Sequence, residues 1–148
     1  VLTKRPINAS LKTYLSDISL PRNVWFGITA ENQACFDERL EGLVDIRAKV
    51  KFLSVEPMLG PIDLRAVMSK VSKVLDWVIC GGENGNEKTI RPMKAEWVRE
   101  LRDQCVSLNI PFFFKQWGKH DAQGMPVGKK QAGRVLDGKT WEQFPKGD

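Results

Sequence analysis

Short apolar runs recur along the chain, and each of them ends in polar residues. The four clear runs lie at residues 24–29, 50–55, 77–80 and 110–114. Their apolar positions are nearly continuous rather than alternating, which is typical of strands that are buried on both faces of a sheet. A short apolar stub at residues 1–3 leads into Lys4 and Arg5. The pattern therefore predicts five strands.

Segments with helical periodicity separate these runs. The segment 32–43 begins with a polar residue and carries large apolar side chains on one face: Phe36, Leu40 and Leu43. Asp63 can cap a second helix, whose apolar residues are Leu64, Val67, Met68 and Val71. The segment 94–108 has the clearest core-facing stripe, formed by Trp97, Leu101, Cys105 and Leu108. Strands that alternate with helices at this spacing predict right-handed βα units and a parallel sheet.

The length of the chain indicates part of a barrel rather than a closed one. A closed eight-stranded βα barrel needs about 250 residues, and this chain has 148. Because residues 1–6 resemble the last part of a buried strand, we expect a fragment of a larger barrel. The predicted fold is α/β, with parallel βα repeats that form the C-terminal half of a TIM-like (partial) barrel. We place the βα-repeat domain at residues 1–118.

The tail at residues 119–148 differs from the repeats in composition. It is rich in Gly, Lys, Gln and Asp and has few apolar residues, so we expect it to be loosely structured. Residues 135–141 predict a short hairpin, because Asp137-Gly138 is a strong turn sequence. Trp141 and Phe144 are expected to hold this hairpin against the body.

Charge and hydropathy indicate which ligands and which cellular location the chain is suited to. The net charge of +5 comes from 23 basic and 18 acidic residues, which permits an anionic ligand or a nucleic acid. Much of the excess lies in the tail and is interpreted as solvated surface. There is no signal peptide and no apolar stretch long enough to span a membrane. We therefore expect a cytoplasmic protein without a membrane partner.

The cysteines do not form a metal-binding pattern. Cys35, Cys80 and Cys105 lie far apart and no C-x-x-C spacing exists, so neither zinc nor an iron–sulfur cluster is supported by this chain alone. We interpret all three as reduced core thiols, since Cys80 lies inside an apolar run and Cys105 on the apolar face of a helix. His120 lies in a glycine-rich, polar stretch and is expected to be exposed rather than catalytic.

Polar side chains follow the ends of the predicted strands, and in parallel α/β folds that edge binds ligands. Thr3, Lys4 and Arg5 end the first strand, and Arg5 can hold a carboxylate or phosphate through two hydrogen bonds. The second strand ends in polar residues of three kinds: Thr29, Glu31 and Asn32. Glu31 and Asn32 suit a sugar or a base, but they equally suit the N-terminus of a helix.

The third strand ends in Ser54 and Glu56, which share one face because side chains alternate along a strand. That face must be the interior, where a carboxylate is costly unless it is paired or used. Glu56 is therefore the strongest single candidate. The fourth strand ends in a glycine-rich turn, Gly81, Gly82 and Glu83. Such turns let backbone amides approach a ligand, or are simply tight.

The sequence of this turn matches neither the dinucleotide-binding fingerprint nor the P-loop. Arg91, which lies beyond the turn, can reach back to an anion. The last strand ends in Lys115, Gln116 and Trp117. Lys115 can neutralise Glu56 or Glu83, and Trp117 can either stack on a base or cap the core.

Several of these motifs together resemble a known family. They are LTKRP (2–6), NVWFG (23–27), FLSVEPMLG (52–60), DWVICGGE (76–83), PFFFKQWG (111–118) and LDGKTW (136–141). They resemble a phage-associated, radical-SAM-like family of uncharacterised proteins with an N-terminal three-cysteine motif. The resemblance covers essentially the whole chain and implies a partial or complete βα barrel.

The resemblance also implies cofactors for a full-length parent, namely S-adenosylmethionine and a [4Fe–4S] cluster. The family's cluster-binding cysteines lie upstream, and Cys35, Cys80 and Cys105 do not match them, so we expect no cofactor in this fragment. By analogy, the cofactor-binding residues would be Thr3, Lys4, Arg5, Thr29, Glu31, Ser54, Glu56, Gly81, Gly82 and Glu83. The substrate-binding residues would be Asn32, Lys115, Gln116 and Trp117.

In the leading hypothesis, this chain forms the wall of such a protein that binds the cofactor and the substrate. We expect the fragment to be inactive by itself. The substrate would be a small molecule or derived from a nucleic acid. One alternative is a carboxylate-based, metal-dependent hydrolase or lyase that uses Glu31, Glu56 and Glu83. Another is a non-catalytic nucleic-acid-binding module that uses Arg5, Lys115, Arg134 and the tail. An exposed sheet edge also predicts a possible homodimer.

Overall fold

A five-stranded sheet, in which every strand runs parallel to its neighbours, forms the centre of the molecule. The structure is a computed structural model that describes residues 1–6, 19–65, 74–85 and 89–146. The strands lie in chain order: β1 (Leu2–Thr3), β2 (Phe26–Thr29), β3 (Lys51–Val55), β4 (Trp77–Gly81) and β5 (Phe112–Gln116). This confirms the predicted α/β fold with parallel βα repeats. The described sheet is open, with β1 and β5 at its two ends, and closure into a barrel remains a prediction.

Three helices accompany the sheet in the described ranges: α1 (Gln33–Val44), α2 (Ala95–Ser107) and the single turn α3 (Lys129–Ala132). The first two confirm the predicted helices. Asn32 caps α1, because its side-chain oxygen accepts a hydrogen bond of 3.0 Å from the backbone N–H of Cys35. The predicted helix after Asp63 falls on residues 66–73, outside the described residues. None of the helices described is both long enough and apolar enough to cross a membrane.

The core lies between α1, α2 and one face of the sheet. Alternate strand residues supply that face: Phe26, Ile28, Leu53, Val55, Val78, Cys80, Phe112 and Phe114. The helices supply Phe36, Leu40, Leu43, Val98, Leu101 and Cys105. Removing these side chains from water drives the packing. Cys80 and Cys105 are buried free thiols, as predicted, whereas Cys35 is only half-buried.

The remaining strand residues form the opposite face of the sheet, and strand register arranges them in rows. Toward the amino ends of the strands, Gly27, Phe52 and Trp77 lie side by side. The next row contains Thr29, Ser54, Ile79 and Phe113. Two residues further along β2 and β3 come Glu31 and Glu56. The opposite face therefore changes from aromatic to charged as it approaches the carboxyl ends.

The tail contains little regular structure but includes the predicted hairpin. Leu136 and Lys139 form an antiparallel bridge. Asp137 and Gly138 between them have φ angles of 51° and 81°, the left-handed pair that a type I′ turn requires. Asp137 also accepts hydrogen bonds from Arg99 and Arg102 of α2, at 2.9 Å and 2.5 Å, which attach the hairpin to the body.

The loops that follow β4 and β5 are in backbone contact. The N–H of Gly82 donates to the carbonyl oxygen of Gln116 at 2.9 Å. A Cβ atom at Gly82 would overlap the backbone carbonyl of Trp117. The obstacle is backbone rather than the end of a flexible side chain, so it cannot move aside cheaply. Gly82 is therefore required for the two loops to meet.

We expect Gly82→Ala to lower the free energy of unfolding by about 3 kcal/mol or more, at the upper end of overpacking costs. Gly138→Ala is the matched control, since its added methyl group meets nothing within 4 Å. That control should cost only about 1 kcal/mol, for the left-handed backbone. Urea unfolding followed by tryptophan fluorescence measures both. Equal costs would contradict the backbone contact.

Candidate functional site

At the carboxyl ends of the strands, charged and amide side chains form a row across the sheet. We call this row the rim; it comprises Lys4, Glu31, Arg39, Glu56, Glu83, Arg91, Lys115 and Gln116. The glutamates follow three neighbouring strands, β2, β3 and β4. Their side chains are mostly buried, with exposed fractions of 13%, 22% and 19%. Each has at least one cationic partner of its own.

Glu31 is held between two cations. Its Oε1 accepts a hydrogen bond from Lys4 Nζ, and its Oε2 accepts one of 2.8 Å from Arg39 Nη1. The same Arg39 nitrogen donates to the backbone oxygen of Thr29 at 2.7 Å, which fixes the arginine against β2. Burial by itself would raise the pKa of Glu31, but the hydrogen bonds from Lys4 and Arg39 outweigh it and lower that pKa to about 2. Glu31 is therefore a fixed anion at neutral pH.

Glu56 is positioned by two consecutive residues of β5. Lys115 Nζ lies 3.0 Å from its Oε2, and Gln116 Nε2 lies 3.2 Å from its Oε1. Consecutive residues normally point to opposite faces of a strand. Here a register shift pairs Gly81 with Gln116 and lets both side chains reach the same carboxylate. Gly81 leaves the space for it, because a Cβ there would lie 3.2 Å from Glu56 Cδ.

Glu83 is bound by Arg91, which returns to it from the far side of the glycine-rich turn. Arg91 donates through its backbone N–H at 2.8 Å, through Nε at 3.1 Å and through Nη2 at 2.6 Å. These hydrogen bonds lower the pKa of Glu83. The sequence predicted that Arg91 can reach an anion, and the anion is this glutamate. The prediction that Lys115 neutralises Glu56 or Glu83 resolves in favour of Glu56.

Other predicted site residues have structural roles in the described part of the chain. Thr3 accepts a hydrogen bond of 3.0 Å from the N–H of Arg5, and Asn32 caps α1. Thr29 and Ser54 are buried on the opposite face, one row below the rim. The side chain of Arg5 is exposed and has no partner among the described residues.

Trp117 caps the core rather than offering a surface for stacking. Its side chain is buried, its ring lies 4.9 Å from that of Phe114, and its Nε1 donates to the carbonyl of Val135 at 2.8 Å. Of the two roles considered for this residue, the structure favours the cap. Gly82, which meets the backbone of Trp117, serves packing in the same way.

One rim residue was missed by the sequence reasoning. Arg39 of α1 is mostly buried, with an exposed side-chain fraction of 14%. The available signal was its position beside the apolar stripe of α1, one residue before Leu40 and three after Phe36. An arginine next to a core-facing stripe can extend its stem along the core and present its charge at the end of a neighbouring strand.

Two observations bear on the alternative hypotheses, the metal-dependent hydrolase or lyase and the nucleic-acid-binding module. In the described ranges, no group of three or more His, Cys, Asp or Glu side chains could hold a metal ion. Two cations considered for nucleic-acid binding are engaged in ion pairs, Lys115 with Glu56 and Arg134 with Glu142. Both hypotheses therefore remain untested.

The buried cysteines do not fit an iron–sulfur cluster. Burial raises the pKa of Cys80 far above its usual value and raises that of Cys105 to about 12. Such groups stay protonated, whereas cluster ligands are thiolates. Cys80 instead contacts the sulfur of Met58 at 3.6 Å, inside the core. No step through a cluster can therefore be assigned to Cys80 or Cys105.

A hollow of about 730 Å³ lies at the other end of the sheet. It is lined by backbone and mixed side chains that include Val50, Leu75, Asp76 and Ile110. The carboxylate of Asp76 is already used there, since it accepts a hydrogen bond of 2.9 Å from the N–H of Lys51. The rim is the better candidate site, because ligands of parallel α/β sheets bind at the carboxyl ends of the strands.

The chain belongs to the family described as protein of unknown function (DUF5131), whose model matches residues 1–145. No curated protein and no solved structure matches the chain. The family description names neither phages nor radical SAM enzymes, so the resemblance noted in the sequence remains a prediction.

Replacing Glu31 should reduce the acid sensitivity of the protein. Since the pKa of Glu31 falls from 4.5 to about 2 on folding, its ionised form stabilises the fold fully above pH 4.5. This stabilisation is lost as the pH falls toward 2. When the pH is lowered from about 7 to about 2.5, the free energy of unfolding should fall in both proteins. The fall should be about 1–3 kcal/mol larger for the native protein than for the Glu31→Gln variant. Glu38→Gln, on the exposed side of α1, should retain the native pH dependence in urea unfolding.

Proposed function

We propose that the rim is one wall of a small-molecule binding site in a radical-SAM-like protein, to which this chain contributes cofactor and substrate contacts. The observation that carries the proposal is the set of three glutamates at the ends of three neighbouring parallel strands, each fixed by its own cation. Ligands of parallel α/β sheets bind at this end of the strands. The motif resemblance supports the choice of protein class.

The donors and acceptors of the rim suit S-adenosylmethionine, which carries a carboxylate, an ammonium group and two ribose hydroxyls. Glu31 and Glu56 would accept hydrogen bonds from the ammonium group or the hydroxyls. Lys4 and the exposed Arg5 would bind the carboxylate. Radical chemistry would require both S-adenosylmethionine and an electron from an iron–sulfur cluster held outside the buried cysteines of this chain, and the rim side chains would only orient the S-adenosylmethionine.

Glu56 has the arrangement best suited to exchange partners with a ligand. Its inner hydrogen bond comes from Gln116, which is buried and keeps the carboxylate oriented. Its outer partner, Lys115, has a side chain that is half exposed, at 51%. A ligand hydroxyl or ammonium group would displace Lys115 without moving Gln116. Because the carboxylate is already oriented, little ordering cost would remain on binding.

The cellular setting is part of the same proposal. Three free cysteines in the described residues suit a reducing compartment, and we therefore propose a cytoplasmic protein. The substrate would be a small molecule or a fragment of a nucleic acid. The metal-dependent hydrolase and the nucleic-acid-binding module are retained as competing outcomes of the binding experiment.

Titration calorimetry of the 148-residue chain with S-adenosylmethionine, and with its stable analogue S-adenosylhomocysteine, tests the proposal. We expect saturable binding that Glu56→Gln weakens about tenfold, since a hydrogen bond to a charged group contributes about 1.5–3 kcal/mol. Glu96→Gln, on the exposed side of α2, is the matched control and should bind like the native chain.

Parallel titrations with other ligands distinguish the two competing functions. Heat with Mg²⁺ or Mn²⁺ that depends on Glu56 would favour the hydrolase. Oligonucleotide binding that falls steeply with salt would favour the nucleic-acid module. The absence of binding by both adenosyl compounds would overturn the proposal.

A further inference from the structure

The outer edge of β5 is occupied by a segment of the tail. Residues 141–144, which we call the strap, run antiparallel to β5, with Glu142 opposite Phe113. The N–H of Phe114 donates to the carbonyl of Trp141 at 2.9 Å, and the N–H of Gln143 donates to the carbonyl of Phe112 at 3.2 Å. The predicted exposed sheet edge is therefore not at β5.

Gln143 completes the pairing at this edge. Its side-chain oxygen accepts a hydrogen bond of 2.9 Å from the N–H of Phe112. Its backbone carbonyl accepts one of 2.8 Å from the indole Nε1 of Trp77. The strap thus satisfies the backbone groups that an edge strand would otherwise leave open to another chain.

Aromatic side chains of the strap hold β5 from both faces. On the helix side, the ring of Trp141 lies 6.0 Å from that of Phe112. On the opposite face, the ring of Phe144 lies 5.3 Å from Phe113 and 5.2 Å from Trp77. Phe112 and Phe113 are consecutive and face opposite ways, so a segment with aromatic residues three apart can contact both.

Two features show that the strap is not optimally seated. The indole Nε1 of Trp141 is buried without a hydrogen-bond partner in the described part of the chain, which is a costly arrangement for a polar group. Phe144 is 56% exposed although it contacts two aromatic rings. The strap therefore fits the edge well in its backbone but incompletely in its side chains.

The hairpin that precedes the strap anchors it to the body. Leu136 is fully buried, and Asp137 pairs with Arg99 and with Arg102, whose side chain is only 13% exposed. The strap residues themselves lie outside the strands β1 to β5 and the helices α1 and α2. Exchange of residues 141–144 would therefore break the contacts of the strap with β5 but leave the hairpin anchor and the parallel strand pairings in place.

We propose that the outer edge of β5, with Trp77 and Phe113 beside it, is a strand-acceptor site that also takes the strap of a second copy of this chain. The second copy carries the one segment whose fit to this edge is visible in the structure. Exchange of identical segments replaces each contact by its equivalent and needs no new surface. The resulting dimer differs from pairing through a free edge, because β5 becomes available only when its own strap leaves.

Disulfide trapping between two full-length variants tests the exchange. Glu142 and Phe113 form a non-hydrogen-bonded antiparallel pair, the type in which side chains lie closest. One preparation carries Phe113→Cys and the other carries Glu142→Cys, both with Cys35→Ser to remove the half-exposed thiol. After mixing under mild oxidation, a covalent heterodimer should form at least about tenfold faster than in a control mixture of Phe113→Cys and Lys130→Cys. Equal rates would overturn the proposal.

A second measurement does not depend on the cysteine variants folding. A fluorescent peptide spanning residues 139–146 stands in for the strap of the other copy. We expect it to bind the native chain, and to bind the double variant Gln143→Ala/Phe144→Ala about tenfold more tightly, because the weakened strap competes less for β5. A peptide with the same two alanines should bind neither chain. Failure of the native-sequence peptide to bind either chain would also overturn the proposal.

Discussion

Parallel pairing of the strands in chain order is the constraint on which the rest of the molecule depends. It sends every strand end to the same edge, so Glu31, Glu56 and Glu83 become near neighbours. Partly buried like charges at such spacing repel each other unless each is neutralised. The fold meets this requirement locally: β1 and α1 supply cations for Glu31, β5 supplies one for Glu56, and Arg91 turns back to Glu83. The rim is thus a consequence of topology.

Local patterns predicted the parts of the structure that have local causes. Apolar runs and helical stripes identified the strands, α1 and α2, and alternation placed Ser54 and Glu56 on one face. The contribution of Arg39 was not predictable in the same way, because it depends on how α1 sits against β2. The contact of Gln116 with Glu56 depends on a register shift at Gly81, which leaves no local trace in the sequence. Long-range pairing of the strap with β5 is hidden for the same reason.

The strap also bears on the architecture of any larger protein. A closed barrel would require β5 to pair with another strand at the edge where Trp141 and Gln143 now bind. With the strap in place, further strands of a sheet can add only beside β1, where no described residue occupies the outer edge. The strap therefore closes the sheet on the side of β5.

The interlocked glycines have a mechanical consequence. Gly82 lies against the backbone of Trp117, and a Cβ at Gly118 would come within 2.5 Å of the carbonyl oxygen of Glu83. The loops after β4 and β5 are therefore held against each other through their backbones, next to Glu83 and Gln116. Lys4, by contrast, extends to Glu31 from a half-exposed side chain. The outer cations of the rim, Lys4 and Lys115, are thus half-exposed side chains beside more rigidly held carboxylates, and adaptation to ligands of different size would fall to these two lysines.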